Sequence, residues 1–175
     1  TRVRSSAASD VYKRQEYYSK DSDIYNLLNY IQGKTLEKRQ FITYKNTNGL
    51  HRGHKKAAEQ IIRTQTFYKK HNQKRRLYHM IVSFPSRYPS SDQFLADVAD
   101  SIGHGYLQNY QTFYAIHHDT DNPHIHIAIN AVGYKTGKKW HKSKQELKQL
   151  RQDILDIVNT LHFAYFPNEP YALCL

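Results

Sequence analysis

The stretch that decides the fold of this chain runs His117-His118-Asp119-Thr120-Asp121-Asn122-Pro123-His124-Ile125-His126-Ile127-Ala128-Ile129-Asn130. Side chains alternate between the two faces of a β-strand, so His124 and His126 share one face. The three isoleucines between and after them share the other. The segment therefore predicts a strand with one apolar face for the core and two imidazoles on the opposite face.

A second strand is predicted directly before it, over residues 110–118. The polar residues 120–123 between the two strands, which end in a proline, are typical of a turn and favour a hairpin. Such a hairpin brings His117 or His118 beside the pair formed by His124 and His126. Three imidazoles from two neighbouring strands are then close together.

Three convergent imidazoles predict a divalent metal site. Histidine is the commonest metal ligand, and three protein ligands leave coordination positions open, as in catalytic sites. Asp119 is a candidate carboxylate acceptor that fixes the tautomer of a ligand. Imidazole favours Mn²⁺, Ni²⁺ or Zn²⁺, whereas Mg²⁺ prefers oxygen. The alternative is a set of strand histidines that hold no metal.

The charge of the chain favours a polyanionic partner. Its 26 Lys and Arg residues against 15 Asp and Glu residues give a formal net charge of +11. Basic residues cluster in 52–76 and 135–151, interleaved with tyrosines that can stack on bases. A solvated basic surface is the alternative. The candidate DNA-binding residues in these clusters are Arg75, Arg76, Lys138, Lys139 and Lys142.

The chain has the composition of a protein of a reducing compartment. Cys174 is its one cysteine, which excludes an intrachain disulfide. No apolar run approaches ~18 residues, so membrane insertion is not expected. Residues 1–15 have neither the apolar stretch of a signal peptide nor a regular period, and we interpret them as a tail or an assembly scar. Residues 16–175 then form a single domain, expected in the cytoplasm.

The remaining sequence alternates between helical and strand patterns. Strand patterns cover residues 41–44 and 78–84. Helical patterns cover residues 23–32 (capped by Asp23), 55–70, a segment from Ser90 to Gly103, and a long segment that opens with Ser143 and Glu146 as a capping box. These elements predict an α+β fold with a central, mostly antiparallel five-stranded sheet. The long final helix is expected to cover the isoleucine face of the histidine strand.

Three segments resemble, in the same order, the motifs of the conjugative relaxases within the HUH endonuclease superfamily. The His117–His126 segment looks like their metal motif. Tyr25-Asn26-Leu27-Leu28-Asn29-Tyr30-Ile31-Gln32-Gly33-Lys34-Thr35 resembles the motif that holds a nucleophilic tyrosine. Tyr78-His79-Met80-Ile81-Val82-Ser83-Phe84 resembles the middle motif, whose serine binds DNA near the nick. The similarity covers about residues 22–162 and is closest to the P-type mobilisation relaxases, which include the T-DNA border nucleases.

The resemblance implies the relaxase architecture and a set of site residues. Tyr30 would be the nucleophile, at the edge of the apolar stripe of the first helix. The metal, Mg²⁺ or Mn²⁺ in this family and Ni²⁺ or Zn²⁺ by ligand chemistry, would be held by His117, His124 and His126. Alternation places His118 on the opposite face of its strand, which leaves it as a candidate base beside Asp119. Ser83 and Lys34 would contact DNA.

The resemblance also implies a function. The protein would be a metal-dependent, site- and strand-specific nickase that cuts at an origin of transfer through a 5′-phosphotyrosyl intermediate and initiates conjugative transfer. Its partners would be single-stranded DNA, relaxosome accessory proteins and a coupling protein, and it would travel with the DNA into the recipient cell. Residues 163–175 follow no relaxase pattern, which leads us to expect a chain truncated before further domains.

Two other functions fit part of the pattern. Rolling-circle replication initiators share the metal motif but place their tyrosine after the histidine pair, where Tyr134, Tyr165 and Tyr171 have no motif around them. A DNA-binding module without catalysis would keep the basic clusters and need no metal. A DNA-cleavage assay separates these from a relaxase.

Overall fold

An antiparallel sheet forms the centre of the computed structural model, which describes residues 10–169, with the backbone alone for residues 10–17 and Leu36. The order across the sheet is β1-β3-β5-β4-β2, and every neighbouring pair is antiparallel. The predicted α+β fold with a mostly antiparallel sheet is therefore confirmed. The strands are β1 (Asp10–Tyr18), β2 (Ile42–Asn48), β3 (Leu77–Ser83), β4 (Tyr110–His117) and β5 (His124–Gly133).

Helices cover both faces of this sheet. A π-helical segment, Ser101–Tyr106, continues directly from α4. Within the described part of the chain, none of the helices combines the length and apolar character that a membrane span requires. The α-helices are α1 (Asp21–Ile31), α2 (Leu36–Arg39), α3 (His54–Phe67), α4 (Asp92–Asp100) and α5 (Lys144–Tyr165).

The histidine hairpin occupies the middle of the sheet. β4 pairs with β5 in a register that sets His117 opposite His124, and β5 is flanked on its other side by β3. A strand with neighbours on both sides has its position fixed by two ladders of backbone hydrogen bonds. The predicted hairpin is confirmed, and its turn lies at the end of the sheet where the histidines are.

The two faces of β5 bury different cores. Ile125, Ile127 and Ile129 are fully buried and pack in one cluster with Ile154 and Val158 of α5, as predicted. The opposite face of the central strands carries small or aromatic residues that pack under α1 and α3, namely Phe113, Ala115 and Ala128. Because α5 and α4 cover one face and α1 and α3 the other, the imidazoles of β5 point towards α1.

Hydrogen bonds at the helix starts differ in part from the prediction. At α5, the Ser143 hydroxyl accepts from the N–H of Glu146 and the Glu146 carboxylate accepts from the N–H of Ser143, so this capping box is confirmed. At α1, the helix begins after Lys20. Asp23, predicted as its cap, lies in the first turn, where its carboxylate accepts from the N–H of Lys20 at 2.8 Å.

The α4 segment begins and ends later than predicted. Its cap is Ser91, whose hydroxyl accepts from the N–H of Phe94, rather than Ser90. Gly103 does not end the helix, which continues in π-helical form to Tyr106. A Cβ at Gly103 would lie 2.4 Å from the ring of Tyr114, so close packing on β4 explains this glycine.

Three local elements were not predicted from the sequence. The structure places residues 10–15, interpreted as part of a tail, in β1 at the edge of the sheet beside β3. β2 extends to Asn48 instead of ending at residue 44, and α2 was not predicted. Residues 1–9 of the proposed tail and residues 170–175 of the unmatched C-terminal segment lie outside the described residues.

Candidate metal centre

Three imidazoles meet at the turn end of the β4–β5 hairpin. His117 ends β4, while His124 and His126 lie at the start of β5, and each offers a ring nitrogen within 4.8 Å of the others. The ring centroids lie 4.5 Å apart for His117 and His126 and 4.8 Å apart for His124 and His126. The convergence predicted from strand alternation is therefore present.

Each of the three rings is anchored through one nitrogen. Nε2 of His117 donates to the carbonyl of Ile31 at 2.7 Å, and Nδ1 of His124 donates to the carbonyl of Asn122 at 2.9 Å. Nδ1 of His126 lies 2.8 Å from Nε2 of His79. A metal would therefore be bound through Nδ1 of His117 and through Nε2 of His124 and His126. Metal-binding histidines ordinarily anchor the other nitrogen in this way, so the residues present fit a divalent cation.

The environment of His117 keeps this ring neutral. Burial lowers its pKa, and this effect outweighs the increase caused by the hydrogen bond to the Ile31 carbonyl. The neighbouring His124 lowers the pKa further. Only a neutral imidazole has a lone pair for a metal, so a lowered pKa of His117 favours the form of this ring that can bind a metal.

Tyr30 lies directly above this cluster. It belongs to α1, and its ring centroid is 5.2 Å from that of His126 and 5.9 Å from that of His117. The half-buried phenol lines a cleft of about 190 Å³. The other residues of this cleft are Gly33, Lys34, Lys38, His117 and Asp119. A tyrosine, a carboxylate, two ammonium groups and one imidazole of the cluster, that of His117, therefore share one opening.

Asp119 contacts the three-histidine cluster, but not at a nitrogen where it would fix a tautomer. Its carboxylate lies 3.5 Å from Nε2 of His124, the nitrogen that would bind a metal. The tautomer of His124 is fixed instead by the carbonyl of Asn122. Asp119 therefore does not have the anchoring role predicted from the sequence, and its carboxylate faces the cleft.

His118 lies outside the cluster. Its Nε2 is 3.3 Å from a carboxylate oxygen of Asp92, at the start of α4. Because His118 points away from the face that carries His117, its predicted role as a base for Tyr30 has no support from its position. Of the two neighbouring histidines, the structure brings His117 to the metal centre.

Two predicted DNA contacts lie beside the metal centre. Ser83 ends β3 opposite His124, and directly opposed residues of antiparallel strands point to the same face. Lys34 follows α1, and its ammonium lies 6.0 Å from the centroid of the Tyr30 ring. The structure also places Lys38, which the sequence analysis missed because α2 has no clear pattern, in the same cleft.

The other basic candidates lie at the far end of the sheet. Lys139 pairs with Val132, which lies beyond His126 along β5 by about 20 Å at the usual rise of roughly 3.3 Å per residue. Arg75 stacks on the ring of Tyr78, on the face covered by α5. Arg75, Lys138 and Lys139 therefore do not converge with the three histidines. Lys142 follows Lys139 by three residues and lies near Glu146, at the start of α5.

Arg76 is a structural residue rather than a DNA contact. It is 4% exposed, its Nε donates to Oε1 of Gln65 at 2.7 Å, and its guanidinium lies 2.6 Å from the carboxylate of Asp21. These two interactions connect the start of β3 to α3 and α1. The basic run around Arg76 gave no indication of this, because a sequence pattern does not separate a buried arginine from exposed neighbours.

We expect Arg76→Ala to lower the free energy of unfolding by about 1–3 kcal/mol, because it leaves the buried amide of Gln65 without its donor. Urea denaturation would measure this, with exposed Lys138→Ala as the control that changes stability by less than about 0.5 kcal/mol. Equal stability of the two variants would contradict the structural role of Arg76.

His79 is the site residue that sequence reasoning overlooked. It lies on β3, is 1% exposed and contacts His126 through a ring nitrogen. The sequence did contain an indication of this position, because alternation along β3 places His79 on the same face as Ser83. What the pattern lacked was the β3–β5 register, which sets His126 opposite Ile81 and brings His79 within reach.

Comparisons with known proteins identify the family of this chain. The family described as "Relaxase: MobA/VirD2-like, nuclease domain" matches residues 30–159, from Tyr30 through the three histidines into α5. A solved structure described as "Molecular Basis of Vancomycin Resistance Transfer in Staphylococcus aureus" superimposes with a TM-score of 0.60 at 14% identity, covering 97% of this chain and 100% of that one. At that identity the likeness shows the fold.

Curated relatives match over shorter segments. "Protein TraI" of Escherichia coli is 35% identical over 100 residues, 55% of this chain and 10% of its own length. "Protein rlx" of Staphylococcus aureus is 43% identical over 65 residues, 37% of this chain and 19% of its own length. "T-DNA border endonuclease VirD2" of Agrobacterium fabrum is 35% identical over 85 residues, 45% of this chain and 18% of its own length. The chain thus spans less than a fifth of these relatives, and with most of it matched by the family, it belongs to the MobA/VirD2-like relaxases as their nuclease domain.

Proposed function

We propose that this domain is a metal-dependent, site- and strand-specific DNA nickase that cuts at an origin of transfer and stays attached to the 5′ end through Tyr30. One observation carries the proposal: a phenol lies on a cluster of three anchored imidazoles, with its ring 5.2 Å from that of His126, at the wall of an open cleft. A nucleophile next to a site for a divalent cation is an arrangement that supports phosphodiester exchange.

The proposed step exchanges one phosphodiester for another. The oxygen of Tyr30 forms a bond to the scissile phosphorus, and the bond from phosphorus to the 3′ oxygen breaks. The phenol proton passes to a base, and the departing oxygen takes up a proton to become a 3′-hydroxyl. Because the bond energy is kept in the phosphotyrosine, the step needs no nucleotide and can run backwards to reseal the strand.

The surroundings of Tyr30 assist this step. A phenol is a weak nucleophile at its ordinary pKa of ~10, so it needs a base or nearby positive charge. Asp119 brings a carboxylate to the cleft and is the proton acceptor we propose, while Lys34 and Lys38 favour the phenolate and attract the DNA phosphate. A cation held by His117, His124 and His126 would act as a Lewis acid on a non-bridging phosphate oxygen.

The cation we propose is Mn²⁺ or Mg²⁺, with Ni²⁺ and Zn²⁺ as the other candidates by ligand chemistry. Three imidazoles alone favour the softer ions. The non-bridging oxygens of a bound DNA phosphate would add oxygen donors to the three imidazoles. Oxygen ligands of this kind favour the binding of Mg²⁺ and Mn²⁺.

The partners follow from the family. We propose single-stranded DNA at an origin of transfer as the substrate, with relaxosome accessory proteins and a coupling protein as further partners in the cytoplasm. The net charge of +11 supports a nucleic-acid substrate because it attracts a polyanion to the site. We propose that Ser83, which lies opposite His124 in the β3–β5 register, contacts the strand near the scissile phosphate.

A nicking assay with pooled single-stranded oligonucleotides of random sequence tests this proposal, because such a pool contains many candidate cleavage sites at once. We expect a covalent adduct that survives denaturing electrophoresis, with protein on the 5′ end and a free 3′-hydroxyl on the released strand. Chelation with EDTA should lower its yield by about 10²-fold or more, since the Lewis acid is lost, and added Mn²⁺ should restore it. Cleavage without an adduct, or an adduct indifferent to EDTA, would contradict the proposal.

The same assay separates the alternatives. A rolling-circle initiator would attach through a tyrosine that follows the histidines. Tyr134 donates to the carbonyl of Gln108, Tyr165 donates to Asp97 of α4, and Tyr171 lies outside the described residues. A DNA-binding module would retain single-stranded DNA and form no adduct. Peptide mapping of the adduct identifies the residue that carries the DNA.

A further inference from the structure

The buried imidazole of His79 lies beneath the three-histidine cluster. Its Nε2 lies 2.8 Å from Nδ1 of His126, and the two ring centroids are 5.0 Å apart. The His79 ring also meets the ring of Tyr30 edge-on, with centroids 6.3 Å apart. One buried side chain therefore contacts both a proposed metal ligand and the proposed nucleophile.

The anchor of His126 differs in kind from the other two. His117 and His124 donate to backbone carbonyls, which can only accept, so the tautomers of these two rings are fixed. His79 can either donate or accept at Nε2, depending on its own tautomer. The contact between two neutral imidazoles therefore fixes the tautomer of His126 only if another interaction fixes the tautomer of His79.

Tyr18 supplies a partner for the other nitrogen of His79, although a hydroxyl, like an imidazole, can either donate or accept. Its hydroxyl, at the end of β1, lies 3.4 Å from Nδ1 of His79. For His126 to bind a metal through Nε2, its Nδ1 must carry the proton and donate to Nε2 of His79. His79 must then carry its own proton on Nδ1, which donates to the hydroxyl oxygen of Tyr18. A metal bound at Nε2 of His126 would therefore set one direction for these hydrogen bonds, from His126 through His79 to Tyr18.

We propose that His79 is a positioning residue that holds His126 in the Nδ1-protonated tautomer and orients its Nε2 towards the metal. The inference rests on the proposed function, because it assumes a cation held by the three histidines. A buried donor needs an acceptor, so His126 would otherwise rotate or change tautomer to satisfy Nδ1. His79 therefore tunes metal affinity without touching the metal.

The test compares two variants of the metal-binding protein by titration with Mn²⁺. His79→Leu fills the space but cannot accept a hydrogen bond, and we expect Mn²⁺ affinity to fall about 10–100-fold. In His79→Gln the side-chain oxygen can take the position of Nε2, and we expect affinity to return to within about threefold of wild type. Thermal unfolding in EDTA checks that both variants fold.

A second measurement does not depend on any variant. Nitrogen-15 spectra of the histidine rings in the metal-free wild type should show His126 protonated on Nδ1 and His79 protonated on Nδ1. Protonation of His126 on Nε2 would overturn the proposal, as would wild-type Mn²⁺ affinity in folded His79→Leu, or a folded His79→Gln that binds as weakly as the leucine variant.

The same titration keeps this inference apart from the proposed function. If wild type binds no Mn²⁺, or if His124→Ala binds as well as wild type, the three-histidine metal site is contradicted. If wild type binds Mn²⁺ at that site and the His79 variants bind equally well, only the role of His79 is contradicted.

Discussion

Tyr30→Phe is expected to abolish the covalent protein–DNA adduct, with a loss on the order of 10³-fold or more in strand cleavage. Phenylalanine keeps the ring that packs on His126 and removes only the oxygen that would attack phosphorus. Binding of single-stranded DNA should change by less than about threefold, since the basic residues of the cleft remain. Adduct yield on denaturing gels and DNA affinity by fluorescence anisotropy give the two readouts.

The matched control is Tyr25→Phe, on the same helix. Tyr25 is half-buried and packs against the core between α1 and α3, away from the cleft residues. It also lies within the segment that resembles the nucleophile motif, so it is the natural competitor for the role. We expect Tyr25→Phe to form the adduct at nearly the wild-type rate. An adduct formed by Tyr30→Phe but absent from Tyr25→Phe would transfer the role to Tyr25.

His117→Ala is expected to reduce affinity for Mn²⁺ by at least about 10²-fold, because one of three ligands disappears. This loss should exceed the loss caused by removing a residue that only hydrogen-bonds to a ligand. Adduct formation should fall with it. The substitution also removes the hydrogen bond to the Ile31 carbonyl, which should lower the free energy of unfolding by about 1 kcal/mol in the absence of metal. Isothermal titration with Mn²⁺ and urea denaturation separate the two effects.

The adjacent His118→Ala provides the control for this experiment. His118 pairs with Asp92 at 3.3 Å on the opposite side of the sheet, and both side chains are partly exposed. Partly exposed pairs of this kind contribute at most about 1 kcal/mol, so the variant should fold, bind Mn²⁺ and form the adduct like wild type. Loss of Mn²⁺ binding in His118→Ala with retention in His117→Ala would reverse the assignment of the third ligand.

Local periodicity accounts for much of what could be predicted. The alternation of His124, Ile125, His126 and Ile127 has one consequence in any antiparallel sheet: imidazoles on one face and core on the other. The isoleucines do pack under α5, and the Ser143 capping box opens that helix. These features depend on neighbours within a few residues, and such neighbours are visible in the sequence.

The errors have a common origin in contacts between distant segments. β1 is an edge strand whose position depends on pairing with β3, about sixty to seventy positions further along the chain. Arg76 occurs in a run of basic residues, yet Gln65 and Asp21 hold it in the interior. Lys138 and Lys139 share the charge of Lys34, but the length of β5 separates them from the cleft.

The order of residues along the chain was sufficient to predict the family, the two-faced histidine strand and the hairpin that carries the three candidate ligands, because each follows from short-range spacing. Folding alone decided which nitrogen of each candidate ligand is anchored, and it brought His79 into contact with His126 and Tyr18. Strand register and helix packing set those contacts, and both depend on which distant segments pair.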